Sequence, residues 1–283
     1  MADHMMSGED QRQVAVTICS STPASDPSLT GAWTPRSTAG TKLPPLESLE
    51  EKLLKDQDDL DGEEHSPEAP LINKLAAEFI GTFLLVFTVL SSIVREEQQG
   101  GVWAVLGVAA LAGVSAGTLM GVVVHVSGSH LNPAVSLAMA AFGRLPRGHV
   151  VPYAAAQTTA SAAAAFLAKA VYQSVPPEVM ATVPPLGSAT LAFFMELVLT
   201  FLLVFAITAG ANHPKRSKEL VVIISWAAAT STKWPSTGPS MNPARTLGAA
   251  LATGKYTDIW VYMVAPPLGA LAGAGTYTLI KKP

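Results

Sequence analysis

Two asparagines carry the most specific chemistry in this sequence. Asn132-Pro133-Ala134 lies in the first half of the chain and Asn242-Pro243-Ala244 in the second. Each follows a Gly/Ser-rich turn (127–129 and 236–239) and sits among long, nearly uncharged apolar stretches. Proline suits the first turn of a helix, where its missing N–H costs nothing, and asparagine before it suits the cap. The pattern predicts one helix from Asn132 through about Ala141 and another from Asn242 through about Ala250, each too short to cross a bilayer. Backbone that breaks at membrane depth survives only where it lines a cavity or is buried in protein. Two positive helix ends facing one another would repel cations, including a proton carried along a file of water, and two side-chain amides would donate to the oxygen of a passing neutral solute. Hydrogen-bond exchange of this kind needs no catalytic residue, metal or cofactor, so no enzyme activity is expected.

The other polar residues of the apolar region fit around these two. Arg245 adjoins the second motif; an arginine at that depth is costly unless it meets water or acceptors, and it can donate to a solute while opposing cations. Glu78 and Glu196 are expected to accept hydrogen bonds from backbone N–H groups of the two re-entrant loops. His125 and His130 are expected to brace the first loop. With no carboxylate or cysteine nearby, they are weak candidates for a metal.

The elements that must position these residues are long and apolar. Segments at about 71–94, 102–126, 151–172, 191–211, 220–235 and 259–280 approach or exceed the roughly 20 residues needed to span a bilayer. The fifth is the least apolar, with Ser231, Thr232 and Lys233. Ala77-Glu78-Phe79 and Met195-Glu196-Leu197, the two Asn-Pro-Ala motifs, and Tyr153 and Tyr262 recur in step, so the chain reads as a 3+3 repeat. Three spans per half is an odd number, which turns the second half upside down in the membrane and brings the two short helices in from opposite faces. Gly113, Gly117 and Gly121 share one face of the second span and Gly269 and Gly273 one face of the sixth, at a spacing that allows close helix crossing.

Composition agrees. The chain is 49% hydrophobic and 14% charged, against about 25% charge in a soluble domain, with a mean hydropathy of +0.35. Most of the acids fall in residues 1–70, which read as a disordered, Ser/Thr/Pro-rich and acidic cytoplasmic N-terminal tail. Residues 71–281 form the membrane domain, with repeat one at about 71–172 and repeat two at about 191–281. Basic residues cluster in the 2–3 connection (Arg144, Arg147), the 4–5 connection (Lys215, Arg216, Lys218) and the C-terminus (Lys281, Lys282). With six spans, this places both termini of a multi-pass protein in the cytoplasm; the plasma membrane is the expected location. Cys19 is the lone cysteine, so no intrachain disulfide forms. No nucleic-acid partner is expected.

The stretches Ser127-Gly128-Ser129-His130-Leu131-Asn132-Pro133-Ala134-Val135 and Gly238-Pro239-Ser240-Met241-Asn242-Pro243-Ala244-Arg245-Thr246-Leu247-Gly248 resemble the two signature loops of the major intrinsic protein family, the aquaporins and aquaglyceroporins. Ala77-Glu78-Phe79-Ile80-Gly81-Thr82-Phe83 and Trp260-Val261-Tyr262-Met263-Val264-Ala265-Pro266-Pro267-Leu268-Gly269 are similar to its first and last helices, so the resemblance covers roughly 71–281. Within the family the chain looks most like the plant nodulin-26-like intrinsic proteins. The resemblance implies an all-α membrane fold of six transmembrane helices plus two re-entrant half-helices, assembled as a homotetramer in the lipid bilayer. It implies a four-position selectivity filter on Ala112, Thr230, Pro239 and Arg245, wide because it contains no aromatic ring. It also implies passive passage of boric acid or other metalloid acids, glycerol or urea, with water flow left open. Pro239 and Lys233-Trp234-Pro235 depart from the family pattern and crowd the outer mouth. The alternatives are a secondary transporter, which can share an inverted repeat, and a non-conducting membrane scaffold.

Overall fold

The structure is a computed structural model, and it describes residues 68–98, 104–173, 176–184, 188–211 and 240–281. Five long helices carry it: α1 (Leu71–Gln98), α2 (Ala104–Ser127), α4 (Val150–Val171), α5 (Ala189–Gly210) and α7 (Ile259–Lys281). Two short ones interrupt them, α3 (Pro133–Ala141) and α6 (Pro243–Thr253). The expected fifth span at 220–235 lies outside the described residues, as does nearly all of the expected tail at 1–70.

α1, α5, α7 and the stretch 110–127 of α2 are long and apolar enough to cross a membrane. α4 is as long as α5, but its polar side chains Gln157, Thr158, Thr159 and Ser161 dilute its hydropathy. Two of these, Gln157 and Ser161, are fully buried. Those two face protein, whereas Thr159 is exposed and satisfies its hydroxyl on the Ala155 and Ala156 carbonyls of its own helix.

Each half pairs its first and third long helices: α1 lies along α4, and α5 along α7. The short helices cross over. α3, from the first half, packs on α7 of the second, and α6, from the second half, packs on α4 of the first. This exchange is what an inverted repeat requires if both short helices are to reach one centre. Small residues make the crossings possible. A Cβ at Gly269 or Gly273 of α7 would run into the Leu197 or Phe201 carbonyl of α5, and one at Gly248 of α6 would run into Ser161 of α4. Packing this close is how membrane helices associate where the lipid supplies no hydrophobic drive.

At Gly121 of α2 a Cβ would meet nothing within 4 Å among the described residues, which do not include the expected fifth span. The structure corrects two expectations. α1 continues past the expected end at about 94 to Gln98, and the charged run Arg95-Glu96-Glu97 is helical. α6 runs to Thr253 and not Ala250, because the residue that stops it is Gly254, in the left-handed conformation (φ 76°) that suits a helix C-terminus.

Candidate pore centre at the paired short helices

Asn132 and Asn242 each stand in extended conformation at a helix cap. The Asn132 side-chain oxygen accepts from the Ala134 N–H at 2.9 Å. The Asn242 oxygen accepts from the N–H groups of Ala244 (2.9 Å) and Arg245 (3.3 Å). Pro133 and Pro243 occupy the first helical position, as the motif predicts.

The amide nitrogens tie the two loops together. Asn132 Nδ2 donates to the Met241 carbonyl at 2.7 Å, and Asn242 Nδ2 donates to the Leu131 carbonyl at 2.9 Å. The two helix N-termini therefore meet, joined by reciprocal bonds. A side-chain amide carries two N–H donors, so each asparagine keeps one beyond this bond. The two residues retain 5% and 7% of their surface exposed.

Leu131 and Met241, the residues before the asparagines, both have positive φ (51° and 54°), as does Ser129 (52°). That conformation disfavours side chains with a Cβ by about 1–2 kcal/mol per residue. It is held in place by two buried carboxylates. Glu78 Oε1 accepts from the His130 N–H (2.8 Å) and the Ser127 hydroxyl (2.7 Å), and its Oε2 accepts from the Leu131 N–H (2.7 Å) and Gln157 Nε2 (2.8 Å). Glu196 accepts from the N–H groups of Ser240 (2.6 Å) and Met241 (2.7 Å). Glu78 is 0% and Glu196 2% exposed. Hydrogen bonds from backbone donors are what make a buried carboxylate tolerable.

His130 Nδ1 lies 3.1 Å from the Ser136 hydroxyl, and its ring rests against Tyr153. The Tyr153 hydroxyl donates to the Ser127 carbonyl (2.9 Å). His125 differs: it is exposed on α2, with no hydrogen bond among the described residues. The bracing expected of it falls to Ser127, two residues on, where the chain leaves the helix. Gln157 and Ser136 were not anticipated. Gln157 Nε2 reaches both Glu78 and Ser136 (3.0 Å), and Ser136 returns a bond to the Asn132 carbonyl (3.2 Å). Thr246 plays the corresponding part in the second loop, donating to the Ser240 hydroxyl (2.6 Å). A lone glutamine one turn after Tyr153 in an alanine-rich helix was the available signal for Gln157.

Of the four filter positions, Thr230 and Pro239 lie outside the described residues, as do Lys233 and Trp234. Ala112 is half-buried in the first turns of α2. Arg245 stands in the first turn of α6, 7% exposed, with its Nη1 unpartnered among the described residues. Among the described residues no group of three or more His, Cys, Asp and Glu side chains stands close enough to hold a metal ion.

The sequence pattern of the major intrinsic protein family matches residues 65–277. Aquaporin NIP3-1 of Oryza sativa subsp. japonica is 40% identical over 219 residues, which cover 76% of this chain and 70% of that protein. Aquaporin NIP6-1 of Arabidopsis thaliana is 41% identical over 220 residues, 77% of this chain and 72% of that one. The X-ray structure of the aquaglyceroporin from Plasmodium falciparum superposes with a TM-score of 0.67 at 24% identity, over 74% of this chain and 96% of that chain, so the fold is shared. The chain belongs to the major intrinsic protein family and, within it, groups with the NIP-type plant intrinsic proteins.

Proposed function

We propose that this membrane protein is a passive channel for small neutral solutes, with boric acid or other metalloid acids, glycerol and urea as its cargo class. The observation that carries the reading is the reciprocal bond pair between Asn132 and Met241 and between Asn242 and Leu131. It sets two positive helix ends together and leaves each amide one donor. A solute oxygen that accepts from those donors turns its own hydrogens away, which interrupts proton transfer along a file. Arg245 supplies a further donor and a positive charge that opposes cations.

In this reading the pore centre is Asn132, Pro133, Ala134, Asn242, Pro243 and Ala244, and the filter is Ala112, Thr230, Pro239 and Arg245. Glu78, Glu196 and His130 hold the loops. Secondary transport is disfavoured because coupling needs an acid free to exchange a proton or ion, whereas both buried carboxylates are bonded to loop N–H groups. The functional unit is a homotetramer in the plasma membrane with both termini cytoplasmic, in line with the basic loops at Arg144 and Arg147.

The test is stopped-flow light scattering of the purified protein in liposomes. Entry of boric acid and glycerol well above that of empty liposomes is the expected result. No flux of either solute from correctly assembled protein would overturn the channel reading and leave the non-conducting scaffold.

A further inference from the structure

We propose that Lys169 is a positioning residue for the pore: it clamps the C-terminal end of α6 and, through that short rod, sets where Arg245 and Asn242 stand. The inference rests on the channel reading above. Lys169 is an exposed residue in the last turn of α4, and its Nζ donates to the carbonyl of Ala252 at 2.7 Å in a part-buried bond. Ala252 is itself buried, 3% exposed, among Val86, Leu90, Val94, Ala164 and Ala168.

The last carbonyls of a helix have no partner within it. In α6, Ala250 accepts from the Gly254 N–H and Ala252 from Lys169. An ammonium group there also complements the negative end of the helix dipole. At the helical rise, Ala252 lies about 10 Å along the axis from Arg245.

α6 is thus held at three places. Glu196 and Asn242 hold its N-terminal loop. Gly248 presses against Ser161 and Ala162 of α4 at its middle. Lys169, also from α4, holds its far end together with the packing of Ala252 against α1, α4 and Met180. A rod of 11 residues that bears on α4 at its midpoint would pivot there, so that loosening its far end would be felt at its first turn. The first half lacks this arrangement among the described residues. α3 closes with backbone bonds alone, Phe142 N–H to Ala138, Gly143 N–H to Ala140 and Arg144 N–H to Met139. The spacing that relates Tyr153 to Tyr262 maps Lys169 onto Thr278, whose hydroxyl bonds back to Ala274 of its own helix. The clamp accompanies the short helix that carries the arginine; α3 has Val135 at that place.

The experiment compares full-length wild type, Lys169→Met and Lys169→Arg in liposomes, with Lys169→Gln replacing Lys169→Met if the latter does not accumulate. Two readouts are taken, the ratio of glycerol to urea influx and amide hydrogen exchange over 240–256. Loss of the clamp is expected to raise exchange across that whole stretch about three- to tenfold, leaving 130–145 unchanged. It is expected to alter the influx ratio by about threefold or more. Lys169→Arg is expected to restore both. Wild-type exchange in Lys169→Met would overturn the proposal, and so would faster exchange confined to 250–256 with an unaltered ratio. If the wild type passes neither solute, the channel reading fails on its own, and exchange over 240–248 decides whether Lys169 sets the first turn of α6.

Discussion

The side-chain amide of Asn132 donates to the backbone carbonyl of Met241 across 2.7 Å, joining two residues 109 positions apart in the chain. The Asn242 amide returns a bond to Leu131 at 2.9 Å. Each asparagine therefore does two things at once: its oxygen caps its own helix and its nitrogen fastens the opposite loop. Replacing either by alanine removes a cap, at a typical cost of about 1 kcal/mol, together with the tie between the loops. Asn132→Ala and Asn242→Ala are expected to lower solute flux per reconstituted protein several-fold while still reaching the membrane. Stopped-flow traces normalised to protein content check this; unchanged flux in both variants would contradict the assignment.

Glu78 and Glu196 offer a sharper test of what shapes the loops. A glutamine in place of either presents an N–H where a backbone N–H now points, leaving a buried donor unpaired. The expected loss is roughly 1–3 kcal/mol for each group stranded. Thermal unfolding in detergent should show Glu78→Gln and Glu196→Gln well below wild type. A variant that unfolds at the wild-type temperature would mean that its loop is shaped by other contacts.

Gly269 and Gly121 separate packing from mere helix composition. A Cβ at Gly269 meets the Leu197 carbonyl, whereas one at Gly121 meets nothing within 4 Å among the described residues. Gly269→Ala is expected to push α7 off α5 and cost about 1–3 kcal/mol. Gly121→Ala is expected to be neutral. Yield of folded protein and its unfolding temperature report both, and equal behaviour of the two would argue against the close crossing.

Gln157 is wholly buried, with its amide 2.8 Å from Glu78. Gln157→Leu removes a donor from Glu78 and Ser136, a loss of about 1–3 kcal/mol. Gln157→Glu sets a second carboxylate against the first at a wholly buried position. The glutamate variant is expected to be the less stable of the two, although it is the closer in shape. The same unfolding assay ranks them, and the reverse order would remove Gln157 from the brace around Glu78.

The two short helices were legible because proline and asparagine act through the local backbone alone, and α3 ends at Ala141 as that logic gives. α6 runs beyond the expected end at about Ala250 because the residue able to stop it, Gly254 in the left-handed conformation, lies four positions further on. Long-range contacts were legible only where a charge in an apolar span demanded a partner, as with Glu78 and Glu196. Gln157 and Lys169 carry no such demand in sequence: glutamine is neutral, and a lysine in the last turn of a helix reads as a solvated end. Their partners come from the other end of the first repeat and from the second repeat, and only the folded chain brings them together.

The exchange of short helices between halves has a consequence for biosynthesis. α3 is made early and meets α4 of its own half, but much of its packing surface is on α7, so part of it stays uncovered until α7 is made. A chain stopped before α7 would hold an incomplete first half, and a first half made alone would seek α3's missing partner in another copy, as domain-swapped proteins do. Once duplicated halves lend each other an element in this way, neither can be lost or evolve separately, and the joined chain becomes the smallest unit that folds.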